Sequence, residues 1–351
     1  MSAEYAALNR GSATPERALD EPVGTGPYVL VDYTKDATLR YAAVPDYWGG
    51  TAPVDTLVFA ITPDASTRWQ KLKANECQVM AFPNIADIPT IRSTDGVTLV
   101  EQEGLNIGYL GFNTEKKPFD DKRVRQAMNM AIDRQAIIDA IYGDSAHIAK
   151  NPIPPTMWSY NVRIEDYSFD PERARALLAE AGYADGFTTD LWAMPVQRPY
   201  NPNARRMAEM MQQDLAKVGV TANIVTYEWA DYLKRAQSGE HTMILLGWTS
   251  DTGDPDNILN LLLSCDGAAG GSNMARWCNA DYDALVTKAR TLPAEAERTP
   301  LYEKAQEIFK EEAPWLTLAH VIVFVAIRNE VKDYKVDPFG GQQFYGVDID
   351  Q

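Results

Sequence analysis

Apolar positions along this chain follow two rhythms that take turns. Short continuous or alternating apolar runs, the mark of strands, occur at Tyr28-Val29-Leu30-Val31, Leu39–Ala43 and Asp55–Ile61. The first two read as a hairpin. Asp64 is placed to cap a helix reaching about Lys73, Val79–Phe82 reads as a short strand, and Ile85–Arg92 as helical. Leu105–Asn113 reads as a further strand. Beyond Asp121, the residues Val124, Ala127, Met128, Ala131 and Ile132 recur at helical spacing. Asp133 can cap a second helix with Ile137, Ile138 and Ile141 on one face. Asp170-Pro171-Glu172 is a helix start, and Gly182 is placed to end that helix.

From there the two rhythms alternate closely. Strand Thr188–Ala193 precedes helix Ala204–Lys217, which turns Met207, Met211 and Leu215 inward and stops at Gly219. Strand Ala222–Tyr227, helix Trp229–Ala236 and strand Met243–Leu246 continue the pattern. Such alternation predicts βαβ units and a largely parallel sheet. Helices at about 280–291 and 299–310, a long β-run at 315–327 and a short strand-and-turn tail complete the α/β reading.

The segments that follow strands carry the candidate chemistry, because ligands of open α/β sheets sit beyond the carboxyl ends of strands. After Met243–Leu246 comes Gly247-Trp248-Thr249-Ser250-Asp251-Thr252-Gly253-Asp254-Pro255-Asp256-Asn257. Asp251 reads as an anchor for a cationic group and Trp248 as an apolar wall. Asp254, just before Pro255, suits a helix N-cap, and Asp256 the first helical turn. The plainer alternative is a solvated acidic turn that only caps the helix. After Thr188–Ala193 comes a stiff stretch in which Pro195, Pro199 and Pro202 surround Arg198, whose guanidinium can take a carboxylate bidentately. A surface ion pair is the plainer reading of Arg198. Taken together, one cation and one anion at successive strand ends suit a zwitterion whose charges are separated by a peptide. Tyr200, Trp229 and Trp248 lie near the same strand ends. Each alone is an ordinary core residue; together they would make an amphipathic pocket.

Composition narrows the classes. The 351 residues suffice for two domains, and 45% hydrophobic with 23% charged residues is globular. The net charge of −16 argues against nucleic acid or anionic membranes as partners. No stretch reaches the roughly 18 continuous apolar residues of a membrane helix. The N-terminus lacks a basic region followed by an apolar run, so no signal peptide is read. Of three cysteines, Cys265 and Cys278 flank a Gly-rich loop at a spacing compatible with a small disulfide loop, and Cys77 is left over. None forms a CxxC, no histidine clusters with them, and no metal site is expected. His147, His241 and His320 share no catalytic spacing, and no GxSxG, P-loop or GxGxxG is present. The aspartate-rich loop lacks the 12-position calcium pattern. A carboxylate pair of glycosidase type is the remaining enzymatic alternative.

Several longer motifs resemble one family. They are Gly24-Thr25-Gly26-Pro27-Tyr28 with Tyr47-Trp48 downstream, Phe112-Asn113-Thr114, Pro118–Ala127, Phe169–Ala174, Trp192–Arg206, Tyr227-Glu228-Trp229 and Gly247–Asn257. Over essentially its whole length the chain resembles the dipeptide-binding proteins of ABC importers. These belong to the periplasmic peptide, nickel and opine binding proteins, the bacterial extracellular solute-binding proteins of family 5. The resemblance implies a type II periplasmic-binding-protein fold, in which a dipeptide is held between two α/β lobes joined by a hinge. Carried onto this sequence, Asp251 takes the ligand ammonium and Arg198 its carboxylate, while Tyr200, Trp229 and Trp248 surround side-chain pockets. Cys265 and Cys278 match a disulfide-bonded pair. The first lobe is expected at 1–104 plus 324–351 and the second at 105–323. Family members carry further chain ahead of the start seen here, Ser2-Ala3-Glu4-Tyr5-Ala6, so an incomplete first lobe is expected, with the partner of Cys77 in the missing part. The implied protein is a periplasmic monomer without enzymatic activity or cofactor, working with membrane permease subunits. A related receptor for another small solute, such as glutathione or haem, is the alternative.

Overall fold

A computed structural model of the chain describes residues 22–350. The polar segment before them, including the start at Ser2–Ala6, lies outside the described residues. The chain divides into two compact units. One takes in the described residues up to Gln102, Phe324–Asp337 and the described residues from Gly341. The other is Glu103–Val323 with Pro338–Gly340.

In the first unit, β1 (Tyr28–Thr34), β2 (Thr38–Ala43) and β3 (Thr56–Ala60) form an antiparallel meander. The helix Ala65–Lys73 begins where Asp64 accepts the Thr67 N–H at 2.7 Å, as a short acceptor before a helix should. It buries Trp69 and Leu72 with Met80, Ile91, Val97 and Ala326. Next come β4 (Val79–Ala81) and β5 (Val97–Glu103).

The second unit is built on β6 (Asn106–Phe112), whose seven residues are all buried. That is the signature of a strand covered on both faces. Around it lie β7 (Ala146–Ile148), β8 (Phe187–Trp192), β9 (Val220–Val225), β10 (Met243–Thr249) and the first part of β11 (Trp315–Arg328). Within the unit the strands run in the order β7, β11, β6, β10, β8, β9. Only β8, β9 and β10 are mutually parallel; β6 is antiparallel to both β10 and β11. The sheet is therefore mixed rather than largely parallel. A parallel neighbour needs a crossover, and the helices Ala204–Lys217 and Trp229–Gln237 provide crossovers for these three strands alone. Tyr109 stacks on Trp315 with ring centroids 3.8 Å apart, and Phe309 meets Trp315 edge-on.

Helix starts fall where the aspartates stand. Asp121 and Asp170 accept the N–H groups of Arg123 and Arg173. The segment after Asp133 departs from the regular pattern. It is α-helical over Arg134–Ile137 and widens to a π turn over Ile138–Tyr142. The extra residue shifts the helical phase, so Tyr142 is fully buried while Ile141 is not.

Candidate functional site

Because β8, β9 and β10 run parallel, the segments that follow them emerge at one end of the second unit. The segment after β8 is held by its own turn. Arg198 and Asn201 exchange backbone hydrogen bonds of 3.0 and 2.9 Å, and Asn203 then caps the helix Ala204–Lys217 by accepting the Arg206 N–H. Tyr200 is seated on the sheet by two glycines. Gly108 and Gly247 are register partners on β6 and β10. A Cβ at Gly247 would stand 2.2 Å from the Tyr200 ring, and one at Gly108 would stand 2.5 Å from the Tyr200 carbonyl oxygen. The glycines are there because a ring and a backbone occupy the space of side chains. Tyr142, delivered by the π turn, donates its hydroxyl to the Tyr200 carbonyl at 2.9 Å.

Trp229 opens the helix after β9, which Glu228 caps by accepting the Ala230 N–H. The Arg198 guanidinium lies over the Trp229 ring, 5.0 Å from its centroid. Burial raises the Tyr200 hydroxyl pKa, and the adjacent Arg198 partly offsets this. Arg198, Tyr200 and Trp229 thus form one group, with the cation on an aromatic platform. Among the described residues no carboxylate lies within ion-pair distance of Arg198.

The segment after β10 is organised by Asn257. Its Oδ1 accepts the Trp248 Nε1–H and the Asp251 N–H, both at 3.0 Å. Its Nδ2 donates to Asp251 Oδ2 at 3.3 Å. Asp251 is exposed, and among the described residues no cation pairs with it. Its neighbours are engaged elsewhere. Asp254 accepts both guanidinium Nη atoms of Arg298 at 2.7 Å and the Asp256 N–H at 2.9 Å. Pro255, not Asp254, occupies the cap position, and Asp256 stands in the first turn of Asp256–Leu259. Arg298 is further enclosed by Trp158 and Tyr302, with centroids 4.9 and 5.3 Å away. The hydrogen bonds to Asp254 raise its pKa.

The five residues singled out from the sequence therefore form two groups. Arg198, Tyr200 and Trp229 make the first; Trp248 and Asp251, joined through Asn257, make the second. Tyr200 against Gly247 is where the two adjoin, one residue before Trp248. A cavity of about 370 Å³ lies beside the second group, lined among others by Asp256, Asn257, Asn260, Ser264, Asp266 and Arg290. Cys265 and Cys278 are disulfide-bonded, and Cys77 is a free, half-buried thiol. In the sequence Asn257 is only the last residue of the Gly247–Asn257 motif, with no role of its own, and Arg298 carries no signal. An asparagine at a helix start reads as turn chemistry, and the partner of Arg298 is 44 residues away. Among the described residues no cluster of His, Cys, Asp and Glu has the form of a metal site, and no helix is long and apolar enough to cross a membrane.

Comparisons with known proteins bear on the whole chain. The family described as bacterial extracellular solute-binding proteins, family 5 Middle, matches residues 2–270. The chain is 52% identical over 350 residues to the Dipeptide-binding protein of Escherichia coli (strain K12), all of it aligning with 65% of that protein. It is 51% identical over 349 residues to Heme-binding protein A of Haemophilus influenzae, 99% of it aligning with 64% of that protein. Among solved structures, the dipeptide binding protein from pseudoalteromonas sp. SM9913 in complex with Met-Leu superposes with a TM-score of 0.88 at 40% identity. That match covers 100% of this chain and 69% of that one. The chain thus spans about 65% of the length of curated relatives it matches. With a family match over most of its length and relatives at half identity, the chain belongs to the bacterial extracellular solute-binding proteins of family 5.

Proposed function

We propose that this chain captures dipeptides or similarly small peptides, without chemical change, as part of the solute-binding component of an ABC importer. Asp251 pairs with the ligand ammonium and Arg198 with its carboxylate. Tyr200, Trp229 and Trp248 supply aromatic surface for the side chains. The reading extends to a periplasmic monomer that hands its ligand to membrane permease subunits, with lobes at 1–104 plus 324–351 and 105–323 joined by the two chain crossovers. One observation carries it: one end of one sheet presents a guanidinium and an exposed carboxylate, neither with an opposite charge beside it among the described residues. Opposite fixed charges select a zwitterion by its length, while aromatic walls tolerate varied side chains. The names of the Escherichia coli and pseudoalteromonas relatives support the same ligand class.

Calorimetry with a dipeptide panel tests the proposal. Free dipeptides should bind, and N-acetylated or C-amidated versions should lose at least ~2 kcal/mol, the cost of leaving a desolvated charge unpaired. Equal binding of free and blocked peptides contradicts the assignment. Haem belongs in the panel because of the similarity to Heme-binding protein A, as does glutathione. Preference for either over every dipeptide would replace the peptide reading.

A further inference from the structure

The Asn257 amide has no freedom to turn over. Its Oδ1 faces two N–H groups, the Trp248 indole and the Asp251 amide, and neither can accept a hydrogen bond. The Ser250 hydroxyl lies 3.2 Å from the same oxygen and shares its single proton with the Thr252 carbonyl. With the oxygen fixed, the Nδ2 must face the other way, and there it meets Asp251 Oδ2 at 3.3 Å. No other described group hydrogen-bonds that carboxylate. An amide orients a carboxylate without neutralising it. An arginine or lysine here would occupy the charge, as Arg298 does for Asp254.

We propose that Asn257 is the positioning residue of the ligand anchor: its amide, locked by Trp248 and the loop backbone, aims the Asp251 carboxylate while leaving its charge available. This rests on the reading of Asp251 as the anchor. The observation behind it is local. Three aspartates share the loop, and the one whose carboxylate is held only by a neutral, immobilised donor is also the one with no cation beside it.

A double-mutant cycle tests the proposal. Dipeptide affinity is measured by calorimetry for the unmodified chain, Asn257→Leu, Asp251→Asn and the double variant. Asn257→Leu is expected to weaken binding tenfold or more. The double variant is expected to bind within twofold of Asp251→Asn alone, since a residue that acts by aiming a carboxylate has nothing to aim once the charge is gone. Losses that multiply would overturn the proposal and leave Asn257 with a structural role only. Asp251→Asn without effect would instead sink the anchor reading itself, so the two failures are distinguishable. Should Asn257→Leu not fold, the side-chain amide resonance of Asn257 in the unmodified chain gives the answer. It should shift when a free dipeptide binds and stay in place when the desamino analogue binds. The same response to both ligands would count against the proposal.

Discussion

Asp251 and Asp254 stand three residues apart in one loop and should respond oppositely to substitution. Asp251 is exposed and holds only the Asn257 amide, so Asp251→Asn should abolish most peptide affinity and leave the melting temperature nearly unchanged. Asp254 binds Arg298 through both carboxylate oxygens, and the Arg298 side chain is 13% exposed. Removing one partner of such a pair leaves a mostly buried guanidinium unmatched. Asp254→Ala should therefore cost about 2 kcal/mol, more than the ~1 kcal/mol of a lost cap, and weaken binding only indirectly. Paired melting curves and peptide titrations check both; the reverse outcome would exchange the two roles. At this scale the sequence exposed the charged and aromatic candidates, since a strand followed at once by glycine, proline and aspartate marks where a chain leaves its sheet. It assigned Asp254 to a helix cap and could not expose the pairing with Arg298, because that partner is brought in by a distant helix.

Element boundaries were legible at several local caps, whereas the short helix Cys265–Gly270, which Ser264 caps, lies in what the sequence reads as a Gly-rich loop. The caps at Asp64, Asp121 and Asp170 and the helix Ala204–Lys217 fall where the sequence puts them. Strand direction was not legible, because apolar runs do not say which neighbour they meet; hence the mixed sheet. The π turn at Ile138–Tyr142 was hidden for a similar reason, as it changes the phase of a helix whose periodicity looked regular. The disulfide between Cys265 and Cys278 is a further local tie. It joins the start of Cys265–Gly270 to the residue before Asn279, the cap of Ala280–Arg290. A loop of this size should be worth about 3 kcal/mol. Denaturant titrations with and without reductant measure it, and thiol counting of the oxidised, denatured chain should find one thiol, that of Cys77. Three thiols would contradict the pairing.

Over the whole molecule, two buried histidines should make stability depend on pH. His241 donates from Nε2 to the Met274 carbonyl, and His320 from Nδ1 to the Asn106 carbonyl, each at 2.7 Å. The second nitrogen of the His241 ring has no hydrogen-bond partner among the described residues. Burial lowers both pKa values to about 4, against about 6.5 in an unfolded chain. Between those values the unfolded chain binds more protons, so stability is complete above pH ~6.5 and falls as pH drops toward ~4, by up to ~3 kcal/mol per histidine. Urea titrations between pH 7 and pH 4.5 should show this slope. His241→Asn and His320→Asn should each flatten it, and an unchanged slope in both would mean that the carboxylates account for it.

The slot that Gly108 and Gly247 make for Tyr200 has a consequence in time. Its two halves come from strands far apart in the chain, and it exists only after β6 and β10 have paired in register. Until then the turn that presents Arg198 has nothing to rest on. Pairing between distant segments is slow, because the intervening loop must close first. On dilution from denaturant, helix signal should thus recover early, and the capacity to bind peptide should return only in the final phase. Stopped-flow measurements with a fluorescent peptide would show the order. Recovery of binding together with the first helical signal would mean that the turn forms without its seat.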